Sequence, residues 1–175
     1  MPPEALSEEP PEPPESLSAV ATGAPPEPGR YYAQADGFSI RFPADWGQKE
    51  NVMGTRVVAM SLQEPGDTFR ENVNVVVEDL PSPMDVETYA ALSLKNLSRL
   101  LSAGEQPDVA DAELGGVAAK RVIYETVMGQ LRVKGMVILA VRGRRGYAVT
   151  CSATPETFDA FRPTFDEIAG TFRFE

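Results

Sequence analysis

An α+β domain, a hairpin-rich antiparallel sheet with helices covering its faces, is the fold class this sequence predicts. Three observations predict it. Short stretches alternating apolar and polar residues, set off by Gly and Pro, recur along the chain. Three such runs follow one another between Ala118 and Thr154 with only brief turns between them. Two other stretches, 82–104 and the closing 154–174, repeat apolar residues at helical spacing instead. The coarse order is β-β-β-α-(β)-β-β-β-α-β.

The folded domain is expected over residues 31–175. "GFSIRFP" sets Phe38, Ile40 and Phe42 against Ser39 and Arg41, a half-buried strand that Pro43 closes. "TRVVAMSL" (55–62) is a second strand. "NVNVVVEDL" is a third, with Val73, Val75 and Val77 on one face. Val86, Ala90, Leu94, Leu97 and Leu101 define the helical stripe of 82–104, with Tyr89, Leu92 and Leu100 close to it; Asp85 suits the N-cap and Gly104 the stop. A strand through "VADAEL" and a turn at Gly115-Gly116 follow. If Gly129-Gln130 form a type II′ turn, Met128 faces Leu131 and Glu125 falls opposite Lys134. A one-residue slip would scramble both faces, which favours this register. In the closing helix Thr154 can cap and Pro155 suits the first position. Phe158, Phe161, Phe165 and Ile168 share a face, Pro163 is expected to kink or split the helix, and "TFRF" to add a last strand to the sheet.

Composition narrows the function classes. Residues 1–30 hold nine Pro, six Glu and one Arg, so they carry half of the formal charge of −10 and read as a disordered or polyproline-like spacer or tail. Overall acidity argues against nucleic-acid binding, which needs a basic footprint. No apolar run approaches the roughly 20 residues of a membrane span, and the start shows no basic and apolar pattern of a secretory signal. The chain has no histidine, which removes Ser-His-Asp and Cys-His nucleophile systems and the commonest zinc ligand sets. Its single cysteine, Cys151, excludes an intrachain disulfide and lies in phase with Tyr147 and Val149, as a buried, inert thiol would. No calcium-loop spacing appears in "SEEPPEPPE", in Asp108/Asp111/Glu113 or in Asp159/Asp166/Glu167, which read as solvated charge. Nothing in the sequence points to a catalytic, cofactor or metal residue.

"DGFSIRFPADW", "FRENVNVVVEDLP" before a helix beginning "MDVETYAALSLKNL", then "LGGVAAKRVIYE" and "GYAVTCSATPETFDAFRPTFDEIAGTFRF", together resemble the PsbP-like superfamily with its PsbP, Mog-type and DcrB-like branches. The likeness spans roughly 31–175. It implies an α/β/α sandwich with a central antiparallel sheet, and a non-enzymatic role in binding a protein partner. It also implies an exported, periplasmic or cell-surface setting, the spacer following a lipid-anchoring cysteine upstream of this chain; a monomer is expected. The metal and chloride effects of the photosynthetic member have no matching residues here. Two alternatives stand beside this reading: a cytosolic DcrB-like chaperone for type VI secretion effectors, and a small-molecule hydrolase or isomerase with convergent carboxylates in an α+β pocket.

Four residues are candidates for the partner-binding rim: Trp46, at a strand exit, and Phe69, Arg70 and Asn72, in the polar turn before the third strand. Trp46 reads first as a lid on the core and Phe69 as a structural anchor, with partner contact the alternative for each. Lys120, Arg121, Arg132, Lys134, Arg142, Arg144 and Arg145 form the densest basic group. It reads as a charged, soluble sheet edge or as a surface for an acidic partner or anionic lipid.

Overall fold

A computed structural model describes residues 27–102 and 104–175. The expected spacer lies outside the described residues except for its last four, and β1 already begins within those four. Among the described residues ten strands and two α-helices follow in chain order, with a single 3-10 turn at Gln34–Asp36: β1 Arg30–Ala33, β2 Phe38–Arg41, β3 Gly47–Glu50, β4 Val57–Met60, β5 Asn72–Asp79, α1 Val86–Leu97, β6 Asp108–Leu114, β7 Val117–Met128, β8 Leu131–Arg142, β9 Arg145–Ala153, α2 Pro155–Gly170 and β10 Arg173–Phe174. Seven strands form one sheet in the order β3-β4-β5-β9-β8-β7-β6, every pair antiparallel. β1, β2 and β10 make a second, small sheet.

The meander has the expected register. Met128 pairs with Leu131, Glu125 with Lys134 and Val122 with Val137. Gly129 has a φ of 67°, the left-handed value a type II′ turn needs at its first position. Because side chains alternate, β7, β8 and β9 present two apolar faces. Val122 and Leu139 point to α1, while Met136, Ile138, Val149 and Cys151 point to α2, so the helices lie on opposite faces.

Four expectations are corrected. α1 ends at Leu97 rather than running to Gly104. The Thr126 hydroxyl donates to the Leu100 carbonyl at 2.6 Å and Leu101 forms a bridge with Thr126, so the neighbouring strand takes the backbone that a further turn would use. Leu92 and Leu100 are exposed, and only Tyr89 and Ala90 of the helix are fully buried. Asp85 does cap: it accepts from the Thr88 N–H at 2.8 Å. α2 runs unbroken through Pro163, so the expected split does not occur. Proline removes the bond to the Asp159 carbonyl, but both residues are exposed, so water can take that carbonyl, and Phe158, Phe165 and Ile168 anchor both halves. Thr154 makes no side-chain cap; its hydroxyl meets that of Thr157 at 3.1 Å.

The last strand joins β2 in the small sheet, not the large one. Aromatic packing explains this. Phe172 stacks on Phe38 at 5.3 Å between centroids, and Phe174 meets Tyr147 edge-on at 4.9 Å. β10 is thereby held against β2 while both cover the end of the α2 face. Buried Arg30 ties the same corner, donating to Ser39 Oγ at 3.2 Å and to the Thr171 carbonyl at 2.7 Å.

Candidate functional site

Pro43 stops β2, and the chain then turns, with the Trp46 N–H donating to the Pro43 carbonyl at 3.0 Å. The turn drops the indole against α2: Trp46 is 8% exposed and its ring lies 6.4 Å from that of Phe161, tilted by 52°. These two rings line a cleft of about 420 Å³ between the β2 exit and α2, with Arg41, Asp45, Thr164 and Glu167 among its other linings. Charges of both signs thus stand around an aromatic wall.

The other rim candidates reach the same end of the sheet. Gly47 pairs with Met60 and Met60 with Asn72, which lines up the starts of β3 and β5 with the end of β4. Arg70 donates from Nε and Nη2 to the Ser61 carbonyl at 2.8 and 2.5 Å, and Asn72 Nδ2 donates to the Arg70 carbonyl at 3.1 Å. Both side chains therefore hold their own turn in shape, and Phe69 beside them is half-buried.

Glu71, between them, was not singled out from the sequence. It is 7% exposed, and its carboxylate accepts from Ser61 Oγ at 2.9 Å and from Thr157 Oγ1 at 2.8 Å. The bond to Thr157 fastens the first turn of α2 to the β5 entry. A signal was present: Glu71 stands in phase with Val73 and Val75, the buried face of β5.

Most of the basic group is held by local partners; Arg121, whose buried Nε has no hydrogen-bond partner among the described residues, is the exception. Lys120 pairs with Glu87 at 2.6 Å and with Asp111 at 2.5 Å, and Arg132 with Glu125 at 2.6 Å. Arg145 pairs with Asp79 at 3.4 Å and Arg144 donates to the Pro81 carbonyl at 3.1 Å. Lys134 and Arg142 each sit 4.9 Å over a phenyl ring, of Phe158 and Phe174 respectively. Cys151 is fully buried and desolvation pushes its thiol up, away from the reactive thiolate. Among the described residues no three His, Cys, Asp or Glu side chains gather as a metal would require, and no helix is long and apolar enough to cross a membrane.

Comparison with known proteins places this architecture. Antiparallel sheets of seven and three strands with two α-helices make up a PsbP-like fold. The chain belongs to the PsbP family, whose model matches residues 29–174. The solution structure of cyanobacterial PsbP (CyanoP) from Synechocystis sp. PCC 6803 is similar over 88% of this chain and 99% of its own, with 16% identity and a TM-score of 0.60. LpqN of Mycobacterium tuberculosis, described as involved in cell envelope biogenesis, is similar over 78% of this chain and 82% of its own, with 12% identity and a TM-score of 0.62. PA94 from Pseudomonas aeruginosa, described as a putative regulator of unknown function, has 15% identity and a TM-score of 0.55 over 79% and 90%. A search of curated proteins returned no match.

Proposed function

We propose that this chain is a non-catalytic module that works outside the cytoplasm and holds a protein partner at the cleft between the β2 exit and α2. The observation that carries this reading is the aromatic wall of Trp46 and Phe161, packed in place before any partner arrives and bordered by Arg41, Asp45 and Glu167. Pre-ordered aromatic anchors with charged surroundings are the usual centre of an interface: the rings give contact area at little entropic cost, and the charges fix orientation. Membership of the PsbP family supports the non-enzymatic role. The envelope role of LpqN supports an extracytoplasmic setting, where the Pro- and Glu-rich stretch ahead of residue 27 would act as a tether from a lipid anchor upstream. The two helix-bound clusters support a three-layer α/β/α sandwich, expected to act as a monomer.

A photo-crosslinking residue at Thr164, in the cleft lining, tests the reading against one at Gln48, exposed on β3. In the native host the Thr164 position is expected to yield one crosslinked protein species that Gln48 does not, and the combined Arg41→Glu, Glu167→Arg change is expected to abolish it. A species formed equally from Gln48, or surviving the charge reversal in a folded protein, overturns the assignment.

A further inference from the structure

A second cleft, of about 580 Å³, opens on the other face of the large sheet, between α1 and the strip of β5, β9 and β8 that this short helix leaves uncovered. Its walls are apolar: Val76 on β5, Leu94 and Leu97 on α1, and Val122, Val137 and Leu139 on the meander. The volume lies within the roughly 300–1,000 Å³ of small-molecule sites, which combine apolar walls with a few placed polar groups. Two tyrosines supply such groups, and both are seated by glycine. A side chain at Gly146 would bring its Cβ to 2.5 Å from Tyr89 Cζ, and one at Gly135 would come equally close to Tyr124 Cζ. Each ring therefore packs directly on the strand backbone. Tyr89 Oη donates to Glu78 Oε1 at 2.6 Å, and burial pushes both phenols up, so they stay neutral. Ser93, Asn96 and Thr150 complete the polar part of a mostly apolar lining. Among the described residues no Lys or Arg forms an ion pair with Glu78, which leaves its exposed carboxylate as the one charge in that lining.

We propose that this cleft binds a compact apolar small molecule whose single polar group, a hydroxyl or an ammonium, donates a hydrogen bond to Glu78. The walls decide the body and the carboxylate decides the head. A polyhydroxylated molecule would bury most of its hydroxyls unpaired against Val, Leu and Ala, and each unpaired hydroxyl weakens binding. An anionic head would meet the carboxylate and be repelled. The site is on the opposite face of the sheet from the Trp46 cleft and shares no lining residue with it.

Three probes with one apolar body test this on the full chain: 1-adamantanol, protonated 1-adamantanamine and adamantane-1-carboxylate, titrated while backbone amide NMR shifts are followed. The alcohol and the amine are expected to shift Ser93, Leu97, Val122 and Val137 along saturable curves, with the carboxylate about tenfold weaker. The ratio of amine to alcohol tells charge recognition from plain hydrogen bonding. Glu78→Gln is expected to bring the carboxylate close to the alcohol. No shift with any probe at millimolar concentration overturns the proposal, as does a carboxylate that binds the wild type as well as the alcohol. Shifts of these amides with protein concentration alone, in the absence of probe, also overturn it, because a second copy would then occupy the cleft.

Discussion

The two faces of the large sheet solve the same covering problem differently. Against α2, Phe158, Phe165 and Ile168 meet Met136, Val149 and Cys151 in a cluster that extends to Phe38 and Phe172, all of them essentially inaccessible. Against α1 only Leu80, Tyr89, Ala90, Val122 and Leu139 are buried, and a cleft remains open beside them. The first face supplies most of the burial that holds the domain together. The second spends less and keeps space.

The largest expected effect tests that contrast. Phe165→Ala, in the closed face, is expected to lower unfolding free energy by about 3–5 kcal/mol, the usual cost of a phenyl-sized cavity. Leu97→Ala, half-buried beside the open cleft, is expected to cost about 1 kcal/mol, because solvent already reaches part of the side chain. Urea denaturation of the two variants measures the difference. Equal costs would mean that the α1 face is as tightly packed as the other.

Polar groups sharpen the same comparison at a smaller scale. Glu71→Ala strips the partner from two hydroxyls in the closed region and is expected to cost about 1–3 kcal/mol. Tyr89→Phe removes one hydrogen bond whose acceptor, Glu78, is exposed and can turn to water, so about 0.5–1.5 kcal/mol is expected. Chemical denaturation ranks the pair; a larger loss for Tyr89→Phe would reverse the roles assigned to the two faces.

How much of this the sequence carried depends on the range of the forces involved. The β7–β8 register was legible because turn chemistry and two-residue alternation are local and agree with each other. The end of α1 was not, because Thr126, 26 residues further on, takes the carbonyl of Leu100. The continuity of α2 through Pro163 depends on phenylalanines anchored in a sheet distant in sequence, and the partnership of β10 with β2 depends on rings 134 residues apart, Phe38 and Phe172. The candidate site divides in the same way. Trp46 was visible as a large aromatic at a strand exit, but Phe161 as its partner was not. Glu71 lies in the same polar turn as Arg70 and Asn72, and its phase with Val73 already put it on the buried side.

The smallest expected effect lies at neither face but at the corner where the small sheet begins. Glu27 accepts from Arg30 Nε at 2.8 Å and from Arg173 Nη1 at 2.9 Å, bonds that hold its carboxyl down to about 2 from an ordinary 4.5. A depressed carboxyl stabilises the fold above its unfolded value and loses that contribution as pH falls through the folded one. Wild type is therefore expected to melt above Glu27→Gln at pH 7, with the gap shrinking below pH 4.5 and closing near pH 2. Both Glu27 and Arg173 are exposed, so screening keeps the gap small, and it should narrow further in about 1 M salt. A gap that persisted unchanged at pH 2 would mean that Glu27 acts through packing and not through its charge on these two arginines.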